Sequence, residues 1–144
     1  MTNTIVVGYD GSESAERALE FAAERAKSQG VSVTVAHVLE WSPYTFLTPE
    51  ELEERHARRT EELKRAESVV VAPVLERLAG QGIEASADIK YGHIADTLCQ
   101  IATDRGANQV VIGRTGHSSL TSRIFGSVAG TLAQVSPVPV TIVP

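Results

Sequence analysis

Apolar positions recur along the chain with two different periods. Ile5-Val6-Val7-Gly8-Tyr9 is a short, mostly β-branched run with apolar residues at odd and even positions alike, the pattern of a strand covered on both faces. Asp10-Gly11-Ser12 turns the chain, and Ala15, Ala18, Leu19, Ala22, Ala23 and Ala26 then recur at helical spacing until Gly30 supplies a left-handed stop. Val31, Val33, Val35, Ala36 and Val38 predict a second strand, bounded by Gly30 before it and Trp41-Ser42-Pro43 after it. The chain therefore begins β-α-β.

Thr48, Pro49 and Glu51 form a helix start: a capping hydroxyl, a proline at the first helical position, and a glutamate that closes the capping box. Residues 50–67 are dense in charge, with Leu52, His56, Leu63 and Ala66 as a thin apolar stripe, which reads as a solvated helix face. Pro73 removes a helical donor and clashes with the preceding turn, so a kink or break is expected near residues 69–72 before Val74, Leu75 and Leu78 resume the stripe. Gly80 and Gly82 end it. Ala85, Ala87, Ile89 and Tyr91 alternate with polar residues, as in a strand less buried than the others. Residues 94–105 read as helix stopped by Gly106, and Val110-Val111-Ile112-Gly113 as a buried strand. A last strand over 138–143 carries prolines at 137, 139 and 144, which suit a sheet edge or sheet end. Strands alternating with helices require long right-handed crossovers. The prediction is one α/β domain over residues 1–144, an open parallel sheet of five strands with helices on both faces.

Composition narrows the function classes. With 144 residues, 42% of them apolar, the chain is the size of one packed domain rather than a disordered tail. Its 13 Lys+Arg against 18 Asp+Glu give −5, which leaves no basic surplus for a nucleic-acid backbone. Cys99 stands alone, so no disulfide forms within the chain; it reads as a small packed hydrophobe in a reducing compartment. The first residues lack the basic start and apolar run of a signal peptide, and no run of about 18 apolar residues predicts a membrane span. A cytoplasmic protein is expected.

Ligands of open α/β sheets sit at the carboxyl ends of the strands. Asp10 ends the first strand just before a helix, where it serves either as a turn residue or as a carboxylate for a sugar hydroxyl or a metal-bound water. The fourth strand runs into residues 113–127, where Gly113, Gly116 and Gly126 stand among Ser and Thr hydroxyls, Arg114, Arg123 and His117. Glycines let backbone N–H groups approach a phosphate, and the next helix N-terminus adds a favourable dipole, although a plain surface loop shares this composition. The segment is neither a Walker loop, for want of Gly-Lys-Ser/Thr, nor a dinucleotide fingerprint. His93, at the strand-to-helix junction after the third strand, reads as a solvated helix-start histidine, with a reach to the ligand as the alternative, and His37 as a packing residue. Trp41 and Tyr44 read as loop anchors, with stacking on a base as the alternative.

The spacing Gly113-x-x-Gly116, nine residues, Gly126-Ser127 resembles the nucleotide loop of the universal stress protein family. The likeness extends through Val7-Gly8-Tyr9-Asp10-Gly11-Ser12, Ala36-His37-Val38, the long middle helix and Pro137-Val138-Pro139-Val140. It implies strand order 3-2-1-4-5, an adenine-nucleotide site, and a homodimer formed through the last strand. Carried over by position, Asp10 matches the acid near the ribose and the Mg2+-bound phosphates, and Val38 the residue whose backbone reads the adenine edge. Gly113 would lie under the ribose with Arg114 beside it, and Gly116, Gly126 and Ser127 would hold the phosphates. Arg114 and Thr115 stand where members often carry Ser and His, and His117 where Lys is frequent, which leaves ATP, AMP and a cyclic nucleotide all open.

No Ser-His-Asp spacing, HExxH or paired cysteines point to catalysis. The reading is a nucleotide-binding regulatory module answering to a protein partner, with hydrolysis slow or absent. The alternatives are a weak Mg2+-dependent ATPase or phosphotransferase, with Asp10 placing the ion and Arg114 or Arg123 facing the phosphate, and a dimerising module without nucleotide.

Overall fold

The computed structural model describes residues 3–40, 48–115 and 127–144. In chain order these form β1 Thr4–Gly8, α1 Glu13–Gln29, β2 Ser32–Glu40, α2 Pro49–Arg65, α3 Ala72–Gly80, β3 Ala85–Gly92, α4 Ile94–Arg105, β4 Gln109–Gly113, α5 Ser127–Val135 and β5 Val140–Val143. All five strands run parallel in one sheet of order β3-β2-β1-β4-β5. The chain steps outward from β1 to β3 and then crosses to β4, so the winding direction reverses between β1 and β4. Such a reversal opens a crevice at the carboxyl edge.

Alternation along the strands divides the core in two. Ile5, Val7, Val33, Val35 and Val111 face α1 and α3, whose Ala18, Ala22, Val74 and Leu78 pack on them. Val6, Ala36, Val110 and Ile112 face α4 and α5 and meet Leu98, Ile101, Ala129 and Leu132. The alanines of α1 bring that helix close to the sheet, which matters at the site below. Its ends are as the sequence predicts: the Ser12 hydroxyl accepts from the Ala15 N–H at 3.1 Å, and Gly30 closes the helix at φ 68°.

Pro73 perturbs its helix at the expected place but without breaking it. Residues Ala66–Val71 form a π-helical segment and the proline enters the first turn of α3. One extra residue in the turn moves backbone carbonyls out of the way of the proline ring. The same insertion rotates the apolar stripe: α2 buries none of its residues, whereas Val71, Val74 and Leu78 reach the core.

Both outer strands show partial exposure throughout, as sheet edges do. β5 starts at Val140 rather than at 138, although the Pro139 carbonyl still accepts from the Val110 N–H at 2.9 Å. Prolines at 137 and 139 lack the N–H groups that would lengthen the ladder. Among the described residues no helix is long and apolar enough to cross a membrane.

Candidate functional site

Register brings three segments together at the crevice. Gly8, the last residue of β1, pairs with Ala36, and Val7 with Val111, so Asp10 beyond β1, Val38 near the end of β2, which runs on to Glu40, and Gly113 at the end of β4 share one rim. Asp10 does act as a turn residue: its Oδ1 accepts from the Ser12 N–H at 2.9 Å, with Gly11 at φ 82°. The turn holds the carboxylate at the start of α1.

Gly113 has a structural reason to be glycine that spacing alone does not reveal. A Cβ there would lie 2.7 Å from the backbone carbon and carbonyl oxygen of Ser14, and would overlap the Ser14 hydroxyl as well. Ser14, in the first turn of α1, is buried, and its Oγ accepts from the Thr115 N–H at 3.2 Å. On the other side the Arg114 N–H donates to the Val143 carbonyl at 2.8 Å. The exit of β4 is thus fixed between α1 and β5 while the Arg114 side chain projects to solvent. Sequence reasoning missed Ser14; a small polar residue on an otherwise alanine-lined helix face, opposite a strand-end glycine, is the signal that could have found it.

Ser127 opens α5, whose first N–H groups have no partner within the helix. Gly116 and Gly126 lie outside the described residues, as do His117, Arg123, Trp41 and Tyr44.

A cavity of about 520 Å³ lies at the ends of β2 and β3 on the α4 and α5 side, walled by Glu40, His93, Ile94, Asp96, Val128 and Thr131 among others. Its lining mixes apolar Ile94, Ala95 and Val128 with polar groups, and two exposed carboxylates, Glu40 and Asp96, border it, which disfavours phosphate there. His93 is exposed at the N-cap of α4 with no side-chain capping bond, as expected of a solvated helix start, but it also borders this cavity. Among the described residues no three His, Cys, Asp or Glu side chains converge on a point that could hold a metal ion.

Behind the rim, the Tyr9 hydroxyl donates to Glu16, whose other oxygen accepts from Arg77 at 2.7 Å. Burial, and then the Glu16 hydrogen bond and charge, push the Tyr9 phenol up from 10.0 to about 12. Tyr91 is raised to about 12 in the same way by burial and Glu62. Both folded values lie above the unfolded one, so the stabilisation is complete below pH 10 and is lost as the pH climbs from 10 to 12. Urea titrations across that interval should show a steep fall in stability that Tyr9→Phe makes shallower; an unchanged slope in that variant would disprove the contribution.

Comparison with known proteins gives a consistent answer. The sequence model described as "Universal stress protein family" matches residues 1–144. Among curated relatives, the chain is 32% identical over 144 residues to a universal stress protein of Thermus aquaticus and 30% identical over 152 residues to universal stress protein YxiE of Bacillus subtilis, each alignment covering 99% of both chains. A universal stress protein structure from Archaeoglobus fulgidus superposes with a TM-score of 0.72 at 27% identity, covering 100% of both chains. Two further solved structures share the fold at lower identity. One is a universal stress protein in complex with cAMP, with a TM-score of 0.67, 24% identity and coverage of 99% and 97%. The other is an Archaeoglobus fulgidus universal stress protein in complex with dAMP, with a TM-score of 0.66, 23% identity and coverage of 100% and 98%.

Proposed function

This chain belongs to the universal stress protein family, and on that premise we propose that it is a regulatory module that binds an adenine nucleotide, ATP foremost, at the carboxyl edge of β1, β2 and β4. The base enters beside Val38, the ribose lies over Gly113 near Asp10, and the phosphates extend to Gly116, Gly126 and Ser127 at the start of α5. The observation that carries this reading is the register that sets Asp10, Val38 and Gly113 on one rim at the switch point between β1 and β4, with the start of α5 following β4 in the chain. The cAMP and dAMP complexes of family members with this fold support it.

Mg2+ fits as an ion carried by the phosphates. That ion takes one or two carboxylates, with phosphate and water completing its shell, and Asp10 offers one carboxylate at the rim, whereas no all-protein cage exists among the described residues. Bound there, the ion would neutralise phosphate charge. No side chain at the described rim is placed to activate a water, so hydrolysis should run far below the roughly 10 per second of a median enzyme. Phosphate release at ordinary enzyme rates, abolished by Asp10→Asn, would overturn the regulatory reading in favour of an ATPase.

Calorimetric titration with ATP, AMP and cAMP tests the binding itself. We expect saturable heat with at least one of them and its loss in Gly126→Val, where a side chain would occupy the phosphate position. Absence of binding to all three would refute the proposal.

Assembly follows from β5. Val110 N–H donates to the Pro139 carbonyl and Arg114 N–H to the Val143 carbonyl, so residues 139, 141 and 143 turn their backbone groups toward β4. Those of Val140 and Ile142 consequently face the open edge. An edge with free donors pairs with another strand, and a second copy of β5 running antiparallel would close both edges around a two-fold axis.

A further inference from the structure

The last rung between β1 and β2 leaves an unusual arrangement at the base side of the rim. The Tyr9 N–H donates to the Ala36 carbonyl at 2.9 Å, so Ala36 turns its backbone groups toward β1, and Val38, two residues on, turns its own the same way. In a continuing parallel ladder the next bond would run from the Val38 N–H to the Tyr9 carbonyl. That carbonyl accepts instead from Nδ1 of His37 at 2.7 Å. His37 is 8% exposed and lies on the α1 side of the sheet, opposite to Val38, with its ring over the end of β1.

We propose that His37 is the positioning residue of the base site: by donating to the Tyr9 carbonyl it occupies the lone pair that the next ladder bond would use, and the N–H and C=O of Val38 then stay turned to the rim for the edge of a purine. A purine with a ring acceptor beside an exocyclic amine matches an adjacent N–H and C=O, which is the pattern of adenine. The role rests on the nucleotide-binding reading above, but its structural half can be measured without any ligand. His37 must hold its proton on Nδ1, and a side chain with no donor there would let the Val38 N–H fold back onto Tyr9 and extend the ladder by one rung.

Amide exchange followed by NMR on the ligand-free protein, in wild type, His37→Phe and His37→Asn, separates the cases. In wild type the Val38 amide should exchange at least about tenfold faster than that of Ala36, which lies within the ladder. In His37→Phe the Val38 amide should slow toward the Ala36 rate, while His37→Asn, whose amide nitrogen can take the place of Nδ1, should keep it fast. In calorimetry His37→Phe should bind ATP about tenfold more weakly, with a narrower preference for ATP over GTP, and His37→Asn should stay near wild type. A wild-type Val38 amide as slow as that of Ala36 overturns the inference even if His37→Phe does not fold. So does unchanged affinity and base preference in a folded His37→Phe. If wild type binds no adenine nucleotide, the function proposed above fails and takes the base-site role of His37 with it, whereas the exchange pattern still reports whether the Tyr9 carbonyl is held.

Discussion

Gly113→Ala should lower the unfolding free energy by about 2–3 kcal/mol, an unusually large effect for the addition of one methyl group at a strand end. The added carbon would press on the Ser14 backbone at 2.7 Å, a distance that a rotamer change cannot relieve. Either α1 must back away from β4 or β4 must end early. The first option loosens alanine packing along the whole helix, and the second frees Thr115 from Ser14. Nucleotide affinity should fall as well, because both responses displace the rim. Gly130→Ala is the internal control: nothing lies within 4 Å of a Cβ at that position in α5, so it should be stabilising by about 0.5–1 kcal/mol through helix propensity. Denaturant titration of both variants decides the matter, and a Gly113→Ala protein as stable as wild type would show that α1 does not approach β4 so closely.

Wild-type protein at tens of micromolar should scatter light as a dimer, and Ile142→Pro should halve its mass. Proline at 142 deletes one N–H that faces the open edge and none that faces β4, so the intramolecular sheet persists while the intersubunit ladder loses a rung; edge strands tolerate proline in that orientation. Lysine at 140 or 142 is the more obvious choice from the alternation of the sequence, but it is a poorer test. Both side chains pack against the α4 and α5 half of the core, so a charge there damages the fold as well as the edge. The apolar side chains of β5 already have an intramolecular cover, and what remains open is backbone. A wild-type monomer, or a Ile142→Pro protein that is still a dimer, would refute assembly through β5.

Most of the fold was legible because its signals are local. The Ser12 cap, the Thr48-Pro49 start, Gly30, Gly106 and the β-branched runs each act within a few residues, and the helices they predict for α1 and α4 match the structure. Strand order was not in those signals; it came from the resemblance, since which strand crosses over which is decided by packing between distant residues. Pro73 announced a disturbance but not its form, because a π-helical segment and a break leave the same trace in an apolar stripe. At the site, Gly113 ends β4 where the sequence puts a strand end, while the partners that shape that exit escaped notice. Ser14 meets Gly113 and Thr115 across about a hundred positions of chain, and the bond from His37 to Tyr9 depends on where a ladder stops. A side chain that looked like packing proved to be hydrogen-bonded to Tyr9, the residue before Asp10.

The bare surface of α2 also bears on how the molecule opens and closes. A helix of 17 residues that buries none of them is held by its own ladder, its Thr48 cap, its continuity with the π-helical segment and the Tyr91 side chain, which donates to Glu62 and stacks under Arg59, and gains little from the core. Such an element forms after the sheet and its alanine helix have condensed, and it is the first to come undone in thermal fluctuation. Proteases that require an extended substrate should therefore nick the chain within residues 49–65 while the remainder is still native.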